Sequence, residues 1–193
     1  MIYVFLADGF EEIETLGIID ILRRCNLVVQ TLSVTGKRIV VSARGVVIKA
    51  DSLFRKNHME NCEAVILPGG LKGAETLEKN AVLRQTLQTC YSEGAIVAAI
   101  CAAPMVLGSA RLLDNKHATI YPGMESHIQG AIYHNEAWVV SDSNIITACG
   151  PAATFPFAFT IARALLKDSV VVDQVELGMC FHPLDYSSRI LKF

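Results

Sequence analysis

Short apolar runs rich in branched residues alternate along this chain with stretches of helical periodicity. The runs at residues 2–7, 27–34, 64–67 and 95–100 are predicted strands, and helical or turn-forming segments separate them. Such alternation is typical of a parallel sheet whose strands are joined by crossover helices. The sequence therefore predicts an α/β fold with a mostly parallel central sheet.

Helical spacing supports this architecture. The first helix is predicted over residues 12–25, and its apolar face should pack against the sheet. That face consists of Ile13, Leu16, Ile18, Ile19, Ile21 and Leu22. Further helical segments are predicted up to Gly94 and over residues 102–110, 152–166 and 170–178.

A hairpin is predicted outside this alternation. Gly36 and Gly45 punctuate two short apolar runs at residues 38–41 and 46–49. Glycine at such positions permits the turns that join antiparallel strands. We expect the hairpin to lie at the margin of the main sheet.

Length, composition and net charge limit the number of domains and the kinds of partner that this chain can have. A chain of 193 residues fits a single domain over residues 1–193, because a domain of this size buries most of its apolar surface. The mean hydropathy of +0.39 favours a sheet covered on both faces, or association into a homodimer. A net charge of −2 offers no basic surface for nucleic acid or an anionic membrane. A small-molecule substrate is therefore favoured.

No targeting or membrane segment is expected. The first residues carry no basic group, and Asp8 and Gly9 interrupt the apolar run before a signal peptide could form. The longest apolar run, residues 95–107, is shorter than the ~20 residues that a spanning helix needs. We expect a cytoplasmic protein.

Six cysteines are scattered through the chain without any Cys-x-x-Cys pair. That spacing supports neither a zinc site nor a dithiol redox motif. No His-Glu-x-x-His spacing, Walker loop or Gly-x-Gly-x-x-Gly motif occurs, so no metal and no organic cofactor is predicted. Reduced thiols are the expectation in the cytosol.

Cys101 is placed differently from the other cysteines. It ends a predicted central strand and precedes a helix, and Ala99 and Ala103 flank it at two residues on either side. Small neighbours permit the sharp turn of a nucleophile elbow, where the helix N-terminus favours a thiolate. The alternative is a buried cysteine that serves only packing.

Two further segments are predicted at the same edge of the sheet. Gly69 and Gly70 follow a buried strand, so their backbone N–H groups can approach an oxyanion closely. Glu12 opens the first helix after the first strand, and a glutamate buried beside a thiol acts as an acid or base. The alternatives are an ordinary turn and a glutamate that complements the helix dipole.

Four motifs occur in the order and spacing of one family, and the likeness covers essentially the whole chain up to about residue 166. The chain resembles the ThiJ/PfpI superfamily, most closely the branch that contains the parkinsonism-associated protein deglycase. The motifs are Ala7-Asp8-Gly9-Phe10-Glu11-Glu12-Ile13-Glu14, Leu67-Pro68-Gly69-Gly70, Ala99-Ile100-Cys101-Ala102-Ala103-Pro104 and Gly150-Pro151.

The resemblance implies a single glutamine amidotransferase-like domain, a flavodoxin-like three-layer sandwich and a homodimer. It implies that Cys101 is the nucleophile or redox sensor and Glu12 its protonated partner. Gly69, Gly70 and the Ala102 backbone would bind an oxyanion, with Arg44 near the dimer interface and an anion pocket.

Three positions depart from the family pattern. Tyr121 stands before Pro122 where relatives carry histidine, and it could donate a hydrogen bond instead. Ala102 stands where the peptidase branch has histidine, which argues against proteolysis. Ala152 replaces the glycine usual after Gly150-Pro151.

The resemblance and the residues lead to two hypotheses. The first is an enzyme that converts small α-oxoaldehydes without glutathione, or removes early glycation adducts, with Cys101 as nucleophile. The second is a non-enzymatic oxidative-stress sensor or chaperone in which Cys101 is oxidised to a sulfinate. An assignment to thiamine metabolism rests on family naming alone and ranks last.

Overall fold

A computed structural model describes residues 1–55, 59, 61–166, 169–182 and 187–193. Twelve strands and six α-helices are assigned within these ranges. The strands are β1 (Ile2–Leu6), β2 (Val29–Ser33), β3 (Ile39–Val41), β4 (Val47–Lys49), β5 (Ser52–Leu53), β6 (Ala64–Leu67), β7 (Ile96–Ile100), β8 (His117–Ala118), β9 (Ile132–Tyr133), β10 (Val139–Asp142), β11 (Ile145–Ala148) and β12 (Ile190–Lys192). The helices are α1 (Glu12–Arg24), α2 (Leu71–Lys79), α3 (Ala81–Ser92), α4 (Pro104–Ser109), α5 (Thr154–Leu165) and α6 (Val170–Gly178).

The main sheet has the strand order β12-β10-β11-β7-β6-β1-β2-β5. Every neighbouring pair is parallel except β10 and β11, which are antiparallel. All residues of β1, β6 and β7 are buried, as expected for central strands covered on both faces. The prediction of a mostly parallel α/β sheet is confirmed.

The helices form two groups that cover the faces of this sheet. Helix α1 packs against α5, and α5 against α6, whereas α2, α3 and α4 pack against one another. Two helices begin at residues that favour a helix N-terminus. The Asn80 side chain accepts a hydrogen bond from Leu83 N at the start of α3. Pro104 occupies the first turn of α4. Asn80 also divides the helical stretch before Gly94 into α2 and α3, a division that the sequence analysis did not predict.

Two features differ from the expectation. Strands β3 and β4 form the predicted antiparallel hairpin, but as a separate two-stranded sheet and not at the margin of the main one. On α1, Ile13 and Leu16 are 57% and 43% exposed, although they were predicted to face the core. Glu14 and Thr15 are buried in their place, because the buried face of α1 is rotated away from Ile13 toward α5 and the turn that follows β6.

The carboxyl ends of four strands converge on one edge. Parallel pairing of β1, β6, β7 and β11 places their C-terminal turns side by side. Ligand sites of open α/β sheets lie at this edge, outside the carboxyl ends of the strands. Of the residues predicted for the site, Glu12 follows β1, Gly69 follows β6 and Cys101 follows β7.

Candidate active site

Cys101 occupies a sharp turn between β7 and α4. Its backbone adopts a φ of 62°, a left-handed conformation that is strained for a residue with a side chain. The turn is held on both sides, since Cys101 N donates to Ala148 O at 2.8 Å and Tyr121 N donates to Cys101 O at 2.9 Å. The side chain is 9% exposed. This is the geometry of a nucleophile elbow, as predicted.

The carboxylic acid beside this thiol is Glu14, in the first turn of α1. Glu14 is completely buried, and its Oε2 accepts from Gly69 N at 2.7 Å. Its own N–H donates to Glu11 Oε2 at 2.8 Å, so Glu11 caps the helix and fixes the position of Glu14. Oε1 of Glu14 is buried and makes no hydrogen bond with the residues that the structure describes.

Glu14 and Cys101 interact closely enough to shift each other's protonation. Burial raises the pKa of Glu14 from its ordinary 4.5 to about 7, although the hydrogen bond from Gly69 N and the interaction with the Cys101 thiol oppose the shift. Burial and the neighbouring Glu14 carboxylate raise the pKa of Cys101 to about 12. At neutral pH Cys101 is therefore a thiol, and Glu14 is ionised in about half of the molecules and can accept a proton.

The prediction that Glu12 lies beside Cys101 is wrong. Successive helical residues are about 100° apart around the axis, so Glu12 and Glu14 point in nearly opposite directions. Glu12 Oε1 accepts from Ser42 Oγ at 3.1 Å, and its Oε2 lies 3.6 Å from Arg44 Nη1. Glu12 therefore ties α1 to the β3–β4 hairpin.

Neither Glu14 nor Glu11 was predicted as a site residue. Glu14 stands four residues before Ile18 and seven before Ile21, both of which are fully buried. A glutamate in register with the buried face of its own helix was the signal that could have identified it.

The glycine turn after β6 lets Glu14 and Cys101 approach. A Cβ atom on Gly69 would lie 2.6 Å from Cys101 Cβ and 2.7 Å from Glu14 Oε2, so any larger residue would separate them. Gly70 has a φ of 85° and packs against the backbone of Gly9. Both positions therefore require glycine.

The backbone N–H groups of Gly70 and Ala102 favour the Cys101 thiolate and partly offset the rise in its pKa. Gly69 differs from the prediction, since its N–H is already bound to Glu14. The N–H donors near the Cys101 sulfur are therefore those of Gly70 and Ala102, at the turn that precedes α4.

An open cavity of about 470 Å³ leads to Cys101. Arg44 and Glu11 form part of its wall, and Arg44 Nη1 donates to Glu11 Oε1 at 3.3 Å. Tyr121 is 46% exposed and contributes an aromatic wall. The predicted Arg44 and Tyr121 thus lie in the same cavity as Cys101, whereas Glu12 does not line it.

Neither a metal site nor a membrane span is found within the residues that the structure describes. Within the described ranges, no group of three or more His, Cys, Asp or Glu side chains is arranged to hold a metal ion. In the same part of the chain, no helix is both long and apolar enough to cross a membrane.

Fold and site together define an α/β sandwich protein with a cysteine at a nucleophile elbow and a buried glutamic acid beside it. The model of the DJ-1/PfpI family matches residues 1–164, and the chain belongs to that family. The predicted flavodoxin-like three-layer sandwich is confirmed by solved structures that share this fold.

Curated relatives and solved structures are similar to this chain over most of its length. Parkinson disease protein 7 homolog of Danio rerio is 34% identical over 170 residues, covering 86% of this chain and 90% of the relative. The crystal structure of Drosophila melanogaster DJ-1beta superposes with a TM-score of 0.89 at 32% identity, covering 94% and 97% of the two chains. Oxidized Toxoplasma gondii DJ-1 gives 0.87 at 32% identity, covering 93% and 97%.

Proposed function

We propose that this protein converts small α-oxoaldehydes, such as methylglyoxal, to α-hydroxy acids with Cys101 as nucleophile and without glutathione. The observation that carries the proposal is the pairing of Cys101 with Glu14 at the end of an open cavity. A carboxylate whose pKa is about 7 is well matched to proton transfer at neutral pH. No metal or organic cofactor is required.

In the first step, the Cys101 sulfur attacks the aldehyde carbon while Glu14 takes the thiol proton. The carbonyl π bond breaks, and its electron pair moves to oxygen as the C–S bond forms. Backbone N–H groups of Gly70 and Ala102 stabilise the oxyanion. Proton return to that oxygen gives a hemithioacetal.

In the second step, Glu14 removes the hydrogen of the former aldehyde carbon as a proton and returns it to the neighbouring carbon. In the enediolate that exists between these two transfers, the hydroxyl proton of the first carbon passes to the oxygen of the neighbouring carbon, and the product is a thioester of the α-hydroxy acid. Water hydrolyses the thioester and restores the Cys101 thiol. One aldehyde and one water therefore yield one hydroxy acid, with no change in overall redox state.

The same attack can act on early adducts of oxoaldehydes with amines or thiols, which would be deglycation. Such an adduct is larger than methylglyoxal, and the open cavity of about 470 Å³ accommodates its additional atoms. Arg44, on the wall, would bind an anionic group of the adduct.

The second candidate function is a redox sensor or chaperone without turnover. Two peroxide molecules would oxidise Cys101 to a sulfinate and leave two waters. The Gly70 and Ala102 N–H groups, which already face the sulfur, would hold the sulfinate oxygens. A structural neighbour, the Toxoplasma gondii protein, was solved in an oxidized form.

The decisive experiment measures methylglyoxal loss and lactate formation by the reduced protein without glutathione. Cys101→Ser should abolish turnover, and Glu14→Gln should reduce it about 100-fold or more. Glu12→Gln is the matched control on the same helix turn and should stay within about threefold of wild type. Stoichiometric thiol modification without turnover would contradict the enzyme and favour the sensor.

We further propose a cytoplasmic homodimer with a small-molecule aldehyde or glycated substrate and no nucleic-acid partner. Exposed Ile13 and Leu16 on α1, with Val46 and Val47 of the β3–β4 hairpin, offer an apolar surface for a second copy. Sedimentation of wild type and Leu16→Glu tests this: the variant should sediment as a monomer. A monomeric wild type would contradict it.

A further inference from the structure

Two cysteines that are distant in sequence meet at the opposite end of the sheet from Cys101. Cys62 lies two residues before β6, and Cys90 lies in the last turn of α3. Their thiols interact closely enough to shift each other's pKa in opposite directions. Both are free cysteines in this structure.

Backbone bonds hold the two cysteines in this arrangement. Ala95 N donates to Cys90 O, and the next amide, Ile96 N, donates to Glu63 O, both at 2.9 Å. The carbonyl of Cys90 and that of the residue after Cys62 are therefore fixed by consecutive peptide groups at the start of β7. The proximity of the thiols follows from the pairing of β6 with β7 and from the packing of α3 on both strands.

We propose that Cys62 and Cys90 form an intramolecular disulfide when the protein meets a peroxide. A thiolate attacks the peroxide O–O bond, forming a sulfenic acid and one water. The second thiol then attacks the sulfenic sulfur, the S–O bond breaks, and a second water leaves. The cysteine pair is oxidised by two electrons, and one peroxide is reduced.

Exposure and protonation favour this reaction. Cys62 is partly exposed whereas Cys90 is 3% exposed, so a small oxidant reaches the pair from the Cys62 side. Interaction with Cys62 lowers the pKa of Cys90, while interaction with Cys90 and burial raise the pKa of Cys62. One thiol of the pair therefore ionises more readily than an isolated buried cysteine, and the second thiol lies nearby to resolve the sulfenic acid.

The pair is separate from the proposed catalytic chemistry. Strands β6 and β7 begin at the cysteine pair and end at Gly69 and Cys101 respectively. Oxidation at one end of these strands need not alter the elbow at the other. The disulfide would cross-link the start of β6 to the end of α3 and so restrict the unfolded chain.

The test uses full-length Cys101→Ser protein, which removes the competing thiol. After treatment with hydrogen peroxide, free thiols are blocked with N-ethylmaleimide in denaturant, and the protein is digested without reductant. We expect the loss of two thiols per chain, a peptide pair joined through Cys62 and Cys90, and a higher Tm that dithiothreitol reverses.

Variants make the result specific. Cys62→Ser, at the partly exposed position, should abolish both the cross-link and the Tm increase, and Cys180→Ser should retain both. The proposal is overturned if Cys62 and Cys90 both remain open to maleimide after peroxide, or if either sulfur joins another chain instead. Catalytic turnover is not part of the readout, so failure here is distinguishable from failure of the proposed enzyme.

Discussion

Glu14 packs against Cys101 across the glycine turn that follows β6, and both groups are almost fully removed from solvent. A buried acid beside a buried thiol gives each a proton affinity above its ordinary one.

Glu14→Gln should make stability less sensitive to pH. The folded-state pKa of Glu14 is raised to about 7, so its contribution is fully present below about pH 4.5 and is lost as pH rises through 7. Wild type should lose up to about 3 kcal/mol relative to the variant across that window. Urea unfolding of both proteins between pH 4 and 8 measures the difference, and parallel curves would contradict the burial argument.

The pH profile of turnover should depend on the same group. Wild-type activity should rise as Glu14 ionises, with an apparent pKa of about 7, because the carboxylate accepts the Cys101 proton. In Glu14→Gln the residual rate of turnover should not show this rise with pH. Lactate formation between pH 5.5 and 8.5 tests it, and an identical profile in both proteins would assign the ionisation to another group.

Gly69→Ala should separate the pair. The added methyl would lie 2.6 Å from Cys101 Cβ and 2.7 Å from Glu14 Oε2, so the turn must shift. We expect at least a tenfold loss of turnover and a lower Tm. Gly178→Ala is the control, since a Cβ there meets nothing within 4 Å, and its Tm should stay close to that of wild type.

Substitutions at Tyr121 should distinguish the contribution of its ring to substrate binding from any contribution of its hydroxyl to catalysis. The ring lines the cavity beside Cys101, so Tyr121→Phe should leave KM within about twofold, whereas Tyr121→Ala should raise it about fivefold or more through lost contact area. Steady-state kinetics distinguish the outcomes. A large kcat loss in Tyr121→Phe would show instead that the hydroxyl takes part in proton transfer.

The central strands were predictable because β6 and β7 are unbroken apolar runs that end in turn-forming residues. Cys101 was predictable for a related reason, since small residues surround it at a strand-to-helix junction. These signals are local, and local patterns are what a sequence displays directly.

The acid partner of Cys101 was harder to predict from the sequence, because Glu12 and Glu14 are equally good residues for the first turn of a helix. What distinguishes them is the rotation of α1, and exposed Ile13 and Leu16 obscured its buried face. The meeting of Cys62 and Cys90 was beyond local patterns, since it depends on strand pairing and on helix packing across the sheet.

Strand β12 lies beside β10 at the outer limit of the sheet, and the Phe193 ring stacks on His117 with centroids 3.7 Å apart. Without β12, the hydrogen-bonding groups along one side of β10 would lose their partners. Such an uncovered strand is a template for intermolecular pairing and aggregation. Strand β12 takes the edge position itself, but it has only three residues and ends in Lys192, and short edge strands with lysine are poor templates for such pairing. Removal of β12 should therefore lower solubility before it affects turnover.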